Sequence, residues 1–171
     1  WTALDADIDP IAAGLAMSRA TSAAVFVEAA TRWWAAPMQN MVVADRDGQI
    51  AMVSPGRVPL RKADNDLKGL VPAPGWDARY DWAGFVPAQE TPRETDPPRG
   101  FIASANQRIH GPDYPHYLGS EWVVPYRQQR IEQRLRARER HSIDDMASIQ
   151  ADELSPATQR LLPWLQRARS S

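Results

Sequence analysis

Two apolar rhythms alternate along the chain. "DPIAAGLAMSRA" (9–20) and "TSAAVFVEAATRWWAA" (21–36) place apolar residues at helical spacing. Asp9 suits an N-cap and Pro10 the first helical position. Thr21 or Ser22 can cap the second helix, in which Val25, Ala29 and Trp33 define one face at i, i+4, i+8, and Pro37 stops it. The period then shortens to that of strands. "QNMVVAD" (39–45) and "QIAMVS" (49–54) flank "DRDG" (45–48), and Asp-Gly between two such runs is a hairpin signal. From Arg57 to Arg99 no period survives. That stretch still carries Trp76, Tyr80, Trp82 and Phe85, so it reads as an ordered, wrapping excursion rather than a linker.

Further on, residues 101–105 ("FIASA") read as a strand that delivers two amides, Asn106 and Gln107. Amides at the end of a buried strand are costly unless partnered. "SEWVVPYRQQRIEQRLRARE" (120–139) reads as a helix with Pro125 in its first turns. Ser142 caps another helix with Asp144 and Asp145 in its first turn, and Ser155-Pro156 opens the last. The chain is therefore helical over 9–36, strands and irregular backbone over 39–119, and helical over 120–168. That is an α+β order rather than repeating β-α-β units.

Composition narrows the function classes. The 171 residues hold 20 Lys plus Arg against 21 Asp plus Glu, which leaves no electrostatic footprint for nucleic acid. No apolar run of about 18 residues is present, so no membrane span is expected. With no cysteine, disulfides and thiolate metal sites are excluded. The chain starts at Trp1 and holds 15 Pro and 7 Trp, and it reads as a piece of something larger.

The chemistry-bearing residues are few. His110, Asp113 and His116 have the spacing H-x2-D-x2-H, but Gly111, Pro112 and Pro115 argue against presenting them on one helix face. His141 falls between helices. No G-x-S-x-G elbow, P-loop, G-x-G-x-x-G or H-E-x-x-H is present. The arginines of 127–140 read as a solvated helix face, supported by a Glu132–Arg136 pair at i, i+4. From spacing alone the chain lacks a nucleophile and a general base, and a non-catalytic binding or structural module is the alternative reading.

Taken in order, "WTALD" (1–5), "QNMVVADRDGQIAMVSPGRVPLR" (39–61), "PGWDARYDWAGFVP" (74–87), "GFIASANQRIHGPDYPHYLG" (100–119) and "PYRQQRIEQ" (125–133) resemble the penicillin amidase family of N-terminal nucleophile hydrolases. The resemblance covers nearly the whole chain. It implies part of an αββα fold, and an internal segment of the β-chain. It further implies an acylase that hydrolyses a non-peptide amide through an acyl-enzyme, on a penicillin-type side chain, an acyl-homoserine lactone or another N-acyl compound. Asn106 falls at the family's oxyanion amide, with Gln107 where a second Asn is common. Arg127 falls at an arginine that supports the active-site region. The nucleophile, a serine exposed by self-cleavage, is expected upstream. Partners implied are the rest of the β-chain, the α-chain and a small amide substrate, with self-association of the isolated segment. A periplasmic or secreted parent is implied. No cofactor is expected in this segment. A structural Ca²⁺ is carried by some family members, with only weak counterparts near Gly69.

Overall fold

The computed structural model describes residues 1–5 and 7–169. The chain divides into two compact units, 1–102 with 112–118, and 103–111 with 119–171. The first begins with α1 (Pro10–Ser18) and α2 (Ala23–Trp33). As the sequence implies, Asp9 caps α1, its carboxylate accepting the Ala12 N–H at 2.9 Å with Pro10 at the first position. Ser22, not Thr21, caps α2 through the Val25 N–H. The two helices pack together, and the fully buried residues on them are Ala13, Ala23 and Ala30. Small side chains there let the backbones approach closely. The face expected on α2 is corrected by this packing: Val25 and Trp33 are exposed, and the buried line runs through Ala23 and Ala30. Alanine carries little weight in an apolar pattern, so the bulkier residues drew the stripe onto the wrong side.

The hairpin forms as read, with β1 (Met41–Ala44) antiparallel to β2 (Ile50–Val53) and Met41 opposite Val53. β2 is the central strand, because residues 57–99 return a third strand to it. They contain β3 (Pro59–Arg61), β4 (Trp82–Phe85) and β5 (Arg93–Thr95). β5 pairs antiparallel with β2, completing the order β1-β2-β5, while β3 and β4 form a separate two-stranded sheet. Val53 and Ser54 are fully buried at the end of the central strand. The Ser54 hydroxyl donates to Asn40 Oδ1 at 2.8 Å, so burial leaves it satisfied. Trp76, by contrast, is 90% exposed, and Trp82 and Phe85 are also exposed.

Asp45 ties helix and hairpin together. One carboxylate oxygen accepts the Ala23 N–H at 3.0 Å, at the start of α2. The other accepts the Asp47 and Gln49 N–H groups of the turn, each at 3.0 Å. The Ala23 N–H above all, then those of Gln49 and Asp47, hold this carboxyl below the usual aspartate range. Arg57 fastens the N-terminal segment to the turn after β2, reaching Asp5 at 3.0 Å and Asp7 at 2.7 Å. These bonds, Asp7 first, push its pKa up.

The second unit carries α3 (Tyr126–Arg136), α4 (Ile143–Gln150) and α5 (Pro156–Arg169). Ser142 and Asp145 form a reciprocal capping box at the start of α4. Two expectations are corrected here. Residues 101–105 form no strand, since no neighbouring strand pairs with them. The helix expected from 120 starts at Tyr126, with Pro125 as its N-cap residue and 120–125 outside it. Among the described residues no helix is long and apolar enough to cross a membrane.

Asp45→Ala removes acceptors for three backbone donors at once. It is expected to lower the melting temperature by on the order of 5 °C, measured by circular dichroism. Because the folded carboxyl titrates below its unfolded value, its stabilisation is complete above the ordinary aspartate pKa of about 3.9. It is lost as pH falls through the depressed folded value. The wild-type melting temperature should therefore drop more steeply than the variant's below about pH 4.

Candidate functional site

Asn106 and Arg127, separated by 20 residues of sequence, meet in the second unit. The meeting begins with backbone. Asn106 has φ +67°, in the left-handed region that asparagine tolerates better than most residues. Two hydrogen bonds hold this turn. The Ala105 N–H donates to the Gln107 side-chain oxygen at 2.7 Å, closing a short loop around Asn106. The Asn106 carbonyl accepts the Val123 N–H at 3.1 Å. Ala105 itself is buried. No strand end fixes the amide, contrary to expectation; a left-handed residue clamped by its neighbours does. Gln107, which stands where a second Asn is common in the family, is one of the groups that makes the turn.

Arg127 stands in the first turn of α3, and its Nη1 donates to Asn106 Oδ1 at 3.4 Å. A guanidinium has only donors. The amide oxygen must therefore face Arg127, and the amide NH₂, with its two N–H donors, faces the other way. The pair delivers an outward amide NH₂ of fixed polarity from an exposed position.

The arginines that follow do more than coat a solvated face. Arg130 grips the Asp152 carboxylate with two nitrogens, at 2.9 and 2.5 Å, and Arg134 approaches it at 3.5 Å. Asp152 and Arg130 are both mostly buried. The Arg130 hydrogen bond holds the Asp152 carboxyl below the usual range. α3, and with it Arg127, is thereby pinned to the segment between α4 and α5. The Glu132–Arg136 pair expected at i, i+4 is present at 2.5 Å.

The H-x2-D-x2-H residues share no site. His110 lies edge-on to Trp122 in the second unit, while His116 contacts Glu90 at 2.5 Å in the first. His141 Nε2 sits against the Leu135 carbonyl. Among the described residues no cluster of His, Asp or Glu could hold a metal ion. The stretch near Gly69 also fails as a calcium site. Calcium takes about six to eight oxygen ligands. Here the Arg61 guanidinium lies directly over Gly69 and Lys68 flanks it, Asn65 Oδ1 is spent on the Lys68 N–H, and Asp66 on the Tyr80 hydroxyl.

The mixed α+β fold of the chain is that of one class of proteins, the N-terminal nucleophile hydrolases. The profile of the penicillin amidase family matches residues 1–171, so the chain belongs to that family. It is 42% identical over 127 residues to the penicillin acylase 2 proenzyme of Pseudomonas sp. (strain SE83), covering 74% of this chain and 16% of that protein. It is 38% identical over 126 residues to the acyl-homoserine lactone acylase QuiP of Pseudomonas aeruginosa, covering 74% of this chain and 14% of that protein. Among solved structures, the thermostable penicillin G acylase of Alcaligenes faecalis superposes with a TM-score of 0.64 at 26% identity, covering 80% of this chain and 24% of that one. The chain thus spans about one-sixth of the length of the curated relatives it matches.

Backbone and side-chain roles of Asn106 separate by substitution. Asn106→Gly keeps the left-handed turn and should leave the melting temperature nearly unchanged. Asn106→Ala should lose about 1 kcal/mol, because alanine is strained at φ +67°. Equal melting temperatures for the two variants would show that the turn imposes no such demand.

Proposed function

We propose that this chain is the part of an acylase that supplies the oxyanion donor. The parent hydrolyses a non-peptide amide of a small N-acyl compound, a penicillin-type side chain or an acyl-homoserine lactone. Its similarity to a penicillin acylase and to an acyl-homoserine lactone acylase supports this choice of substrate class. The single observation that carries the residue assignment is the Arg127–Asn106 bond, which turns the amide's donor end outward.

The chemistry needs three groups. A serine at a newly exposed N-terminus, in the parent protein, attacks the substrate carbonyl with its Oγ. Its own α-amino group takes the hydroxyl proton; such a group titrates at about 8, so it is available as a base near neutral pH. The carbonyl π electrons move onto oxygen, and the Asn106 N–H meets that charge. The C–N bond then breaks, the amine leaves with the proton, and water releases the acid from the acyl-serine. Asn106 neither attacks nor carries a proton. Its contribution is to be aimed before the charge appears, worth roughly 3 kcal/mol. Arg127 is a positioning residue: it fixes which end of the amide faces the reaction. Its charge also favours a nearby oxyanion. We place the parent in the periplasm or outside the cell, as its family resemblance implies.

In the matured parent enzyme, Asn106→Ala should lower kcat by about 10²–10³ with KM little changed, since the bond forms mainly in the transition state. Asn106→Gly should fall equally far, which excludes backbone strain as the cause. Wild-type kcat in either variant would remove Asn106 from the chemistry. The 171-residue chain alone should give only background in a chromogenic phenylacetyl-amide assay.

A further inference from the structure

Beyond the reaction centre, the first unit contains a recess of about 260 Å³ whose lining is unusual. Its walls come from β3, from the loop that follows it, and from residues 115–117. Arg61 and Lys68 both sit over the ring of Tyr117, 5.9 and 5.7 Å from its centroid. Two cations against one ring repel each other, and among the described residues neither joins an ion pair. The neighbouring charges are already engaged. The Lys62 ammonium donates to the Ala78 carbonyl, and His116 contacts Glu90. The Tyr117 hydroxyl is buried in the same wall without a partner. Arg61 spends only one long bond, 3.5 Å, on the Pro59 carbonyl, so most of its fork is unspent.

We propose that this recess binds a small carboxylate. A guanidinium fork and an ammonium lining one recess can each take an oxygen of a flat two-oxygen anion. Pro59, Leu60, Val86 and Pro115 on the remaining walls suit a short apolar tail. Gly69, at φ +74°, completes the geometry, since a Cβ there would collide with Arg61 Nη2. The carboxylate comes either from a free acid or from an Asp or Glu side chain of the longer protein. The same two cations that make the stretch unfit for calcium make it fit for an anion.

Calorimetric titration of the 171-residue chain with butyrate, at fixed ionic strength, should show saturable one-to-one binding. Lys68→Gln should weaken it about tenfold, or ~1.4 kcal/mol. Gly69→Ala should weaken it by displacing Arg61 without changing charge. Circular dichroism should report each variant folded. No saturable binding, equal affinity for inorganic phosphate, or an unaffected Lys68→Gln would overturn the proposal. If Gly69→Ala fails to fold, Arg61→Gln takes its place with the same expected loss. The same titration on the full-length parent identifies the source. Loss of butyrate binding there assigns the carboxylate to a protein side chain, retention assigns it to free acid, and both uphold the site.

Discussion

The guanidinium of Arg127 donates and never accepts. An unconstrained asparagine amide presents oxygen or nitrogen with little preference, because the two ends have nearly the same shape. Placing Arg127 Nη1 against Asn106 Oδ1 removes that ambiguity, and the donor end is left to act. The bond is long, at 3.4 Å against about 2.9 Å for an ordinary N–H···O bond, so it orients more than it stabilises. Its usefulness rests on the parts around it. The left-handed φ of Asn106 fixes where the amide starts, the Gln107 and Val123 bonds hold that turn, and the Arg130–Asp152 grip holds α3. In the proposed reaction, preorganisation of this kind would let the donor meet a developing charge without reorganising first.

In the first unit a carboxylate plays the complementary part. Asp45 accepts where Arg127 donates, gathering the first N–H of α2 and two N–H groups of the hairpin turn onto one side chain. The packing then follows from size. Buried alanines on both helices permit close approach, and the central strand β2 fills the space with Ala51, Met52 and Val53. Both units thus use a side chain with one-sided hydrogen-bonding capacity to join segments distant in sequence.

Local chemistry was legible in the sequence and non-local chemistry was not. Asp9-Pro10, Ser22, the DRDG turn and the Ser142 cap act within a few residues, and all form as expected. β3, β4 and β5 are short and acquire their identity from partners 21 to 44 positions away, so no period announces them. The run 101–105 has strand composition but finds no strand to pair with. Asn106 and Arg127 became visible only through composite motifs shared with a family. The sequence does not reveal that they touch, nor that Gln107 helps to hold the turn. Likewise Arg61, Lys68 and Tyr117 are unremarkable in sequence, and converge because residues 112–118 return to the first unit.

In the proposed reaction Arg127 acts through Asn106. A double-mutant cycle on kcat in the matured parent enzyme tests it most directly, using Asn106→Ala, Arg127→Ala and the pair. If Arg127 aims the amide, its removal lowers kcat about tenfold or more in the wild-type background. It should have little further effect once Asn106 is alanine. Equal losses in both backgrounds would mean that the two residues act independently, and the positioning role would be contradicted.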